Sequence, residues 1–265
     1  MAWLDLPGQP GAFIDYTLTQ PQGGTARAVV VYVHGFSSTQ LGGGKVPALR
    51  ARLNALGYAF LAFDHRGHGA SSGSLPDMTV TSNIEDLDAM VSHLAGDFDK
   101  ALLIGSSMGG QTAAWYAAQN PARVTACALI APGFSFLKDQ MGRLGPAQLA
   151  RLRAEGEIAM QTGGRNGEAG QDCTLGLALY QDLARHPVDE LIPRYATPTL
   201  IVHGMDDVWV PYEGSVDFAQ RSATRPLELL LIAGCDHGLA AHQDVVTGAV
   251  CAFFVRVCPP PRPGA

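Results

Sequence analysis

Ser107 stands in Gly105-Ser106-Ser107-Met108-Gly109, a G-x-S-x-G spacing that follows the apolar run Ala101-Leu102-Leu103-Ile104 and precedes a good helix former, Gln111 to Ala118. A serine on a sharp strand-to-helix turn exposes its hydroxyl, and glycines two residues to either side keep side chains out of the neighbouring backbone. The hydroxyl is a poor nucleophile near neutral pH until a base takes its proton. His237, in Gly234-Cys235-Asp236-His237-Gly238 after the apolar run 227–232, is the candidate base. An imidazole in that role needs a carboxylate that fixes its tautomer and stabilises the imidazolium. Asp206 and Asp207 both close the segment His203-Gly204-Met205-Asp206-Asp207, and residue chemistry alone does not choose between them. A tetrahedral intermediate at Ser107 also needs N–H donors for its oxyanion. The candidates are the backbone N–H of Met108, at the start of the helix, and of Phe36, just past His34-Gly35.

The elements that must hold these residues follow from short apolar runs at 28–33, 58–63, 101–104, 126–130, 199–202 and 227–232. Near-continuous hydrophobicity predicts strands covered on both faces. Helical spacing of apolar residues at 46–56, 84–94 and 112–119 between them predicts repeated βαβ units and a mostly parallel sheet, an α/β fold with helices on both faces. Catalytic residues then gather beyond the carboxyl ends of the strands, where the polar segments above all fall. The rhythm breaks across 133–195, where helices are expected at 146–158 and 175–183 and no strand-like run occurs. A structureless connection of that length is uncommon, so 133–195 reads as a helical cap inserted into a core of 1–132 and 196–258, with 259–265 as a loose tail. Phe134, Phe136, Leu137, Met141 and Leu144 are the apolar cap residues placed either to line an acyl pocket or to pack the cap on the core.

The segments His34-Gly35-Phe36, Asp64 to Ser71, Gly105 to Gly110 and His203 to Pro211 together resemble the α/β-hydrolases, and with His237 they span nearly the whole chain outside the cap. In that family the acid lies in H-G-x-x-D-x-x-V-P, a pattern that falls on Asp207 and leaves Asp206 as its neighbour. Asp64 to Ser71 resembles the branch of monoacylglycerol lipases, small carboxylesterases and serine aminopeptidases. The elbow and the acid segment also resemble palmitoyl thioesterases and acyl-glucuronide esterases. The resemblance implies hydrolysis of a small-molecule acyl ester or thioester through an acyl-serine, without a cofactor, by Ser107, His237 and Asp207. Aminopeptidase, carbon–carbon hydrolase or acyltransferase chemistry on the same scaffold is the alternative, and a non-catalytic binding protein of this fold the more distant one. One departure is Asp236, which stands where the family has glycine before the histidine.

Composition narrows the remaining classes. The net charge of −6 and the lack of a basic run argue against a nucleic-acid partner. No apolar run reaches bilayer length, and the first residues carry neither a basic leader nor an apolar core, so a cytoplasmic protein, monomer or homodimer, is expected. The five cysteines are scattered without C-x-x-C spacing, and no histidine pair has H-E-x-x-H spacing, so no metal is expected. His65, Arg66 and His68 read as a structural polar turn, and Ser106 as a packing neighbour of Ser107.

Overall fold

In the computed structural model, which describes residues 2–21, 26–135, 142, 144–161 and 172–260, all six apolar runs are strands of one sheet. The strands in chain order are β1 (Ala2–Asp5), β2 (Phe13–Thr19), β3 (Ala28–Val33), β4 (Ala59–Phe63), β5 (Lys100–Ser106), β6 (Val124–Ile130), β7 (Glu157–Gln161), β8 (Asp172–Gly176), β9 (Thr199–Gly204) and β10 (Leu227–Ile232). The large sheet has the order β1-β2-β4-β3-β5-β6-β9-β10. From β4 to β10 every pairing is parallel, whereas β2 runs antiparallel to β4 and β1 to β2.

Alternation along β3 shows why these segments read as unbroken apolar runs. Val29, Val31 and Val33 enter the core on one face of the sheet, while Ala28, Val30 and Tyr32 enter the core on the other. Fully burying such aliphatic side chains stabilises the fold by roughly 1.5–3 kcal/mol each. The helices α1 (Lys45–Ala55), α2 (Val80–His93) and α3 (Met108–Gln119) follow β3, β4 and β5, and each supplies buried residues to one of these cores. Leu49 and Leu53 of α1 join the second core; Leu87 and Met90 of α2 and Trp115 of α3 join the first.

Between β6 and β9 the described residues form α4 (Pro146–Glu155), α5 (Leu177–Leu183) and, between these, a two-stranded antiparallel ribbon of β7 and β8 that the sequence pattern did not indicate. The inserted segment is therefore not helical throughout. β7 alternates exposed and buried positions, so it presents no continuous apolar run. This segment is tied to the core by Asp182, whose carboxylate accepts from the N–H and the hydroxyl of Thr81 in the first turn of α2, both at 2.8 Å. Beyond β9 lie α6 (Glu213–Arg221) and α7 (Gln243–Val257), the latter packing Val250 and Phe254 into the second core. Among the described residues no helix is long and apolar enough to cross a membrane.

Candidate active site

Ser107 follows β5 directly and precedes α3, with φ 57° and ψ −122°. A left-handed conformation at a residue with a side chain costs on the order of 1–3 kcal/mol, and it persists here because the surroundings fix both ends of the peptide. The Ser107 N–H donates to Ile130 O at 2.9 Å, and its carbonyl accepts from Gly110 and Gly133 at 2.9 and 2.8 Å. The flanking glycines are enforced by contact. A Cβ on Gly105 would lie 2.4 Å from Gly109 O, and one on Gly109 would lie 2.2 Å from Val33 O. Ser106 ends β5 and is buried.

The turn after β10 brings His237 to this serine. His237 Nε2 lies 3.0 Å from Ser107 Oγ, and Nδ1 lies 2.6 Å from Asp207 Oδ2. Ser107 and His237 are half-buried, while the Asp207 side chain is sealed from solvent. Asp207 Oδ1 accepts the N–H groups of Trp209 and Val210, each at 2.9 Å. Burial pushes the Asp207 carboxyl up, but the hydrogen bonds from His203, His237 and Val210 outweigh it and hold the group well below the usual carboxylate range. A permanently charged, fixed carboxylate therefore faces the ring, which can accept the serine proton at the opposite nitrogen. Asp206, by contrast, is exposed. The Asp236 carboxylate accepts from the Leu239 N–H at 3.1 Å, so this residue braces its own turn.

Met108 adjoins Ser107 in the chain, and the loop that carries Phe36 passes the same turn at Gly35. Met108 is the first residue of α3, where a backbone N–H has no intrahelical partner to find. The loop carrying Phe36 leaves β3 against the elbow, so closely that a Cβ on Gly35 would lie 2.9 Å from Ser107 Cβ. Below that loop, His34 Nε2 accepts the His65 N–H at 3.0 Å, which leaves Nδ1–H to donate to Gly35 O at 2.8 Å. Burial, reinforced by His65 and His68, pushes His34 well below its ordinary pKa, so the loop is braced by a neutral ring.

The polar turn after β4 is structural in its contacts. The Arg66 guanidinium pairs with Asp86 at 2.5 Å and Glu85 at 2.9 Å on α2, and Asp64 accepts from the Gln40 and Ala70 N–H groups. His68 is pushed down to about 4 by burial and by His65. Among the described residues no group of three or more His, Cys, Asp or Glu could hold a metal ion.

Of the apolar cap residues singled out by sequence, Phe136, Leu137 and Met141 lie outside the described residues. Phe134 is buried and stacked on Phe218 of α6, with ring centroids 4.5 Å apart, and Leu144 packs against the same core. The Phe134–Phe218 stack packs the start of this segment against α6. What the sequence reading passed over is the set of groups behind the acid: His203 on β9, which hydrogen-bonds Asp207 Oδ2 at 3.1 Å, and Ser215 on α6, 2.7 Å from His203 Nδ1. The only signal for them was the His-Gly at the head of the acid segment.

Residues 24–167, more than half of the chain and including the elbow but neither Asp207 nor His237, match the family model described as "Serine aminopeptidase, S33". The palmitoyl-protein thioesterase ABHD10, mitochondrial, of Bos taurus is 26% identical over 220 residues, covering 82% of this chain and 69% of that protein. A monoacylglycerol lipase of Mycolicibacterium smegmatis is 26% identical over 254 residues, covering 86% and 88%. The structure of mouse alpha/beta hydrolase domain-containing protein 10 superposes with a TM-score of 0.78 at 21% identity, covering 96% of this chain and 98% of that one. The sheet order and the helices around it are those of the α/β-hydrolase fold.

Proposed function

The chain belongs to the serine aminopeptidase S33 family, and on that premise we propose that it is a hydrolase of carboxylic esters or thioesters, working through an acyl-serine at Ser107. The observation that carries this reading is the unbroken line from Ser107 Oγ to His237 Nε2, 3.0 Å, and from His237 Nδ1 to Asp207 Oδ2, 2.6 Å. Ser107 Oγ attacks the acyl carbonyl while its proton passes to His237 Nε2, and the resulting imidazolium is held by Asp207. The oxyanion is met by the N–H groups of Met108 and Phe36, each such donor contributing roughly 3 kcal/mol to transition-state stabilisation. His237 returns the proton to the departing alcohol or thiol. Water, deprotonated by the same ring, then releases the acid from Ser107. No step calls on a metal or cofactor. The division into a core of 1–132 and 196–258 with 133–195 inserted as a cap is part of this proposal.

The relatives named as a thioesterase and a monoacylglycerol lipase support an oxygen or sulfur leaving group. A peptidase reading would need an acid to hold the substrate amine. Glu155, an acid of the inserted segment, is instead paired with Arg151 on the exposed side of α4 at 3.1 Å. The test is turnover of a short p-nitrophenyl ester by Ser107→Ala. Loss of turnover is expected, and retention of the wild-type rate would sink the proposal.

A further inference from the structure

We infer that His203 is a positioning residue for the reaction, a second imidazole that shares Asp207 Oδ2 with His237 and sets the basicity of the catalytic pair. This inference rests on the function proposed above. His203 is fully buried, at the penultimate position of β9, in a strand whose other side chains are apolar or small. Its Nε2 lies 2.9 Å from Val210 O and 3.1 Å from Asp207 Oδ2. A carbonyl can only accept, so Nε2 carries a proton, and that N–H is shared between the carbonyl and the carboxylate. On the far side of the ring, Nδ1 faces the Ser215 hydroxyl at 2.7 Å. The ring is thus fixed at both nitrogens, by one carbonyl of the loop after β9 and by one helix.

The consequence falls on one oxygen. Asp207 Oδ1 is occupied by two backbone N–H groups, whereas Oδ2 receives one N–H from His237 and one from His203. Each donor fixes the plane of the carboxylate and spreads its charge. The His203 contact therefore aims Oδ2 at His237 while weakening the hold of the carboxylate on the imidazolium. Of the other acids of these two loops, Asp206 is exposed and Asp236 bonds the Leu239 N–H, and among the described residues neither is hydrogen-bonded to His203 or His237.

The test compares His203→Leu, which removes the donor, with His203→Gln, whose amide can place an N–H where Nε2 stood. The readout is kcat/KM for a short p-nitrophenyl ester across the acid limb. The leucine variant is expected to move the limb upward by about half a pH unit, because an undiluted carboxylate holds the imidazolium more tightly, and to lower the plateau about tenfold. The glutamine variant is expected to restore both. A leucine variant with the wild-type limb, or two variants that behave alike, overturns the inference. If the leucine variant does not fold, wild-type protein with ¹⁵N-labelled histidine decides. A proton on His203 Nε2 with a nuclear Overhauser contact to the His237 Nδ1 proton is expected, and a His203 ring without that proton overturns it. Ser107→Ala run alongside separates the two claims: wild-type turnover there overturns the catalytic reading, whereas an inactive Ser107→Ala beside an unshifted His203→Leu overturns the role of His203 alone.

Discussion

Replacing Asp207 by asparagine reverses the hydrogen bonding on which the site depends. The backbone N–H groups of Trp209 and Val210 on Oδ1 cannot reverse, whereas His203 keeps Val210 O as an acceptor and His237 can change tautomer, so the asparagine carbonyl takes the Oδ1 position and its NH₂ group that of Oδ2. Facing that NH₂ is His237 Nδ1, at 2.6 Å in the wild type. The ring can meet it only by accepting at Nδ1, which moves the ring proton to Nε2, the atom 3.0 Å from Ser107 Oγ. A protonated Nε2 cannot take the proton of the serine. The same tautomer error in a Ser-His-Asp protease costs roughly 10⁴-fold in kcat, or ~5.5 kcal/mol of barrier. A loss of that size is expected here for Asp207→Asn on a short p-nitrophenyl ester. KM should stay within about threefold, because no contact to bound substrate is removed. Asp206→Asn, at an exposed position, is the control and should keep wild-type turnover. A loss under tenfold for Asp207→Asn, or an equal loss for Asp206→Asn, would refute the assignment of the acid.

Two further outcomes follow from the contacts around the site. The native protein protonates His68 only near about 4, whereas the unfolded chain does so near the ordinary value of 6.5, so the unfolded state binds more protons across that interval and stability rises with pH. Denaturant unfolding should show on the order of 3 kcal/mol lost to this residue as pH falls through the interval. His34, also held below its ordinary value, adds in the same direction, Asp207 does so in the more acidic carboxylate range, and a flat profile would contradict it. Gly109→Ala forces a Cβ to within 2.2 Å of Val33 O and 2.4 Å of His34 O, backbone atoms that cannot rotate away. A cost of ~3 kcal/mol should lower Tm by roughly 6–12 °C with loss of turnover, and an unchanged Tm would contradict the close approach.

Much of this architecture can be read from sequence because parallel strands buried on both faces become unbroken apolar runs. The runs 28–33 and 227–232 coincide with β3 and β10, while 101–104 stops short of the elbow because β5 continues through Gly105 and Ser106, which are not apolar. β1 and β2 were missed because they lie at the antiparallel end of the sheet and alternate or remain half-buried, as in Phe13–Thr19. The β7–β8 ribbon was missed because its strands are short and carry polar residues, Glu157 and Gln161 at the ends of β7 and Asp172 and Thr174 in β8, so neither forms a continuous apolar run. Ser107, His237 and Asp207, which the structure brings within hydrogen-bond distance of one another in a line, could be singled out because each follows a strand in a recognisable segment. His203 could not, since a buried histidine beside a glycine looks the same in sequence whether it fills a core or donates to a carboxylate. That distinction needs the positions of Val210 O and Ser215 Oγ, which come from another part of the loop and from a helix.

Passage of the acyl group through Ser107 underlies every step proposed for this site, and peptide mass spectrometry after quenching a reaction with a slowly deacylating p-nitrophenyl ester can observe it. One acyl group is expected on the peptide containing Ser107, absent from Ser107→Ala, with no adduct elsewhere. Wild-type turnover without an adduct on that peptide, or an equal adduct in Ser107→Ala, would contradict the acyl-serine mechanism.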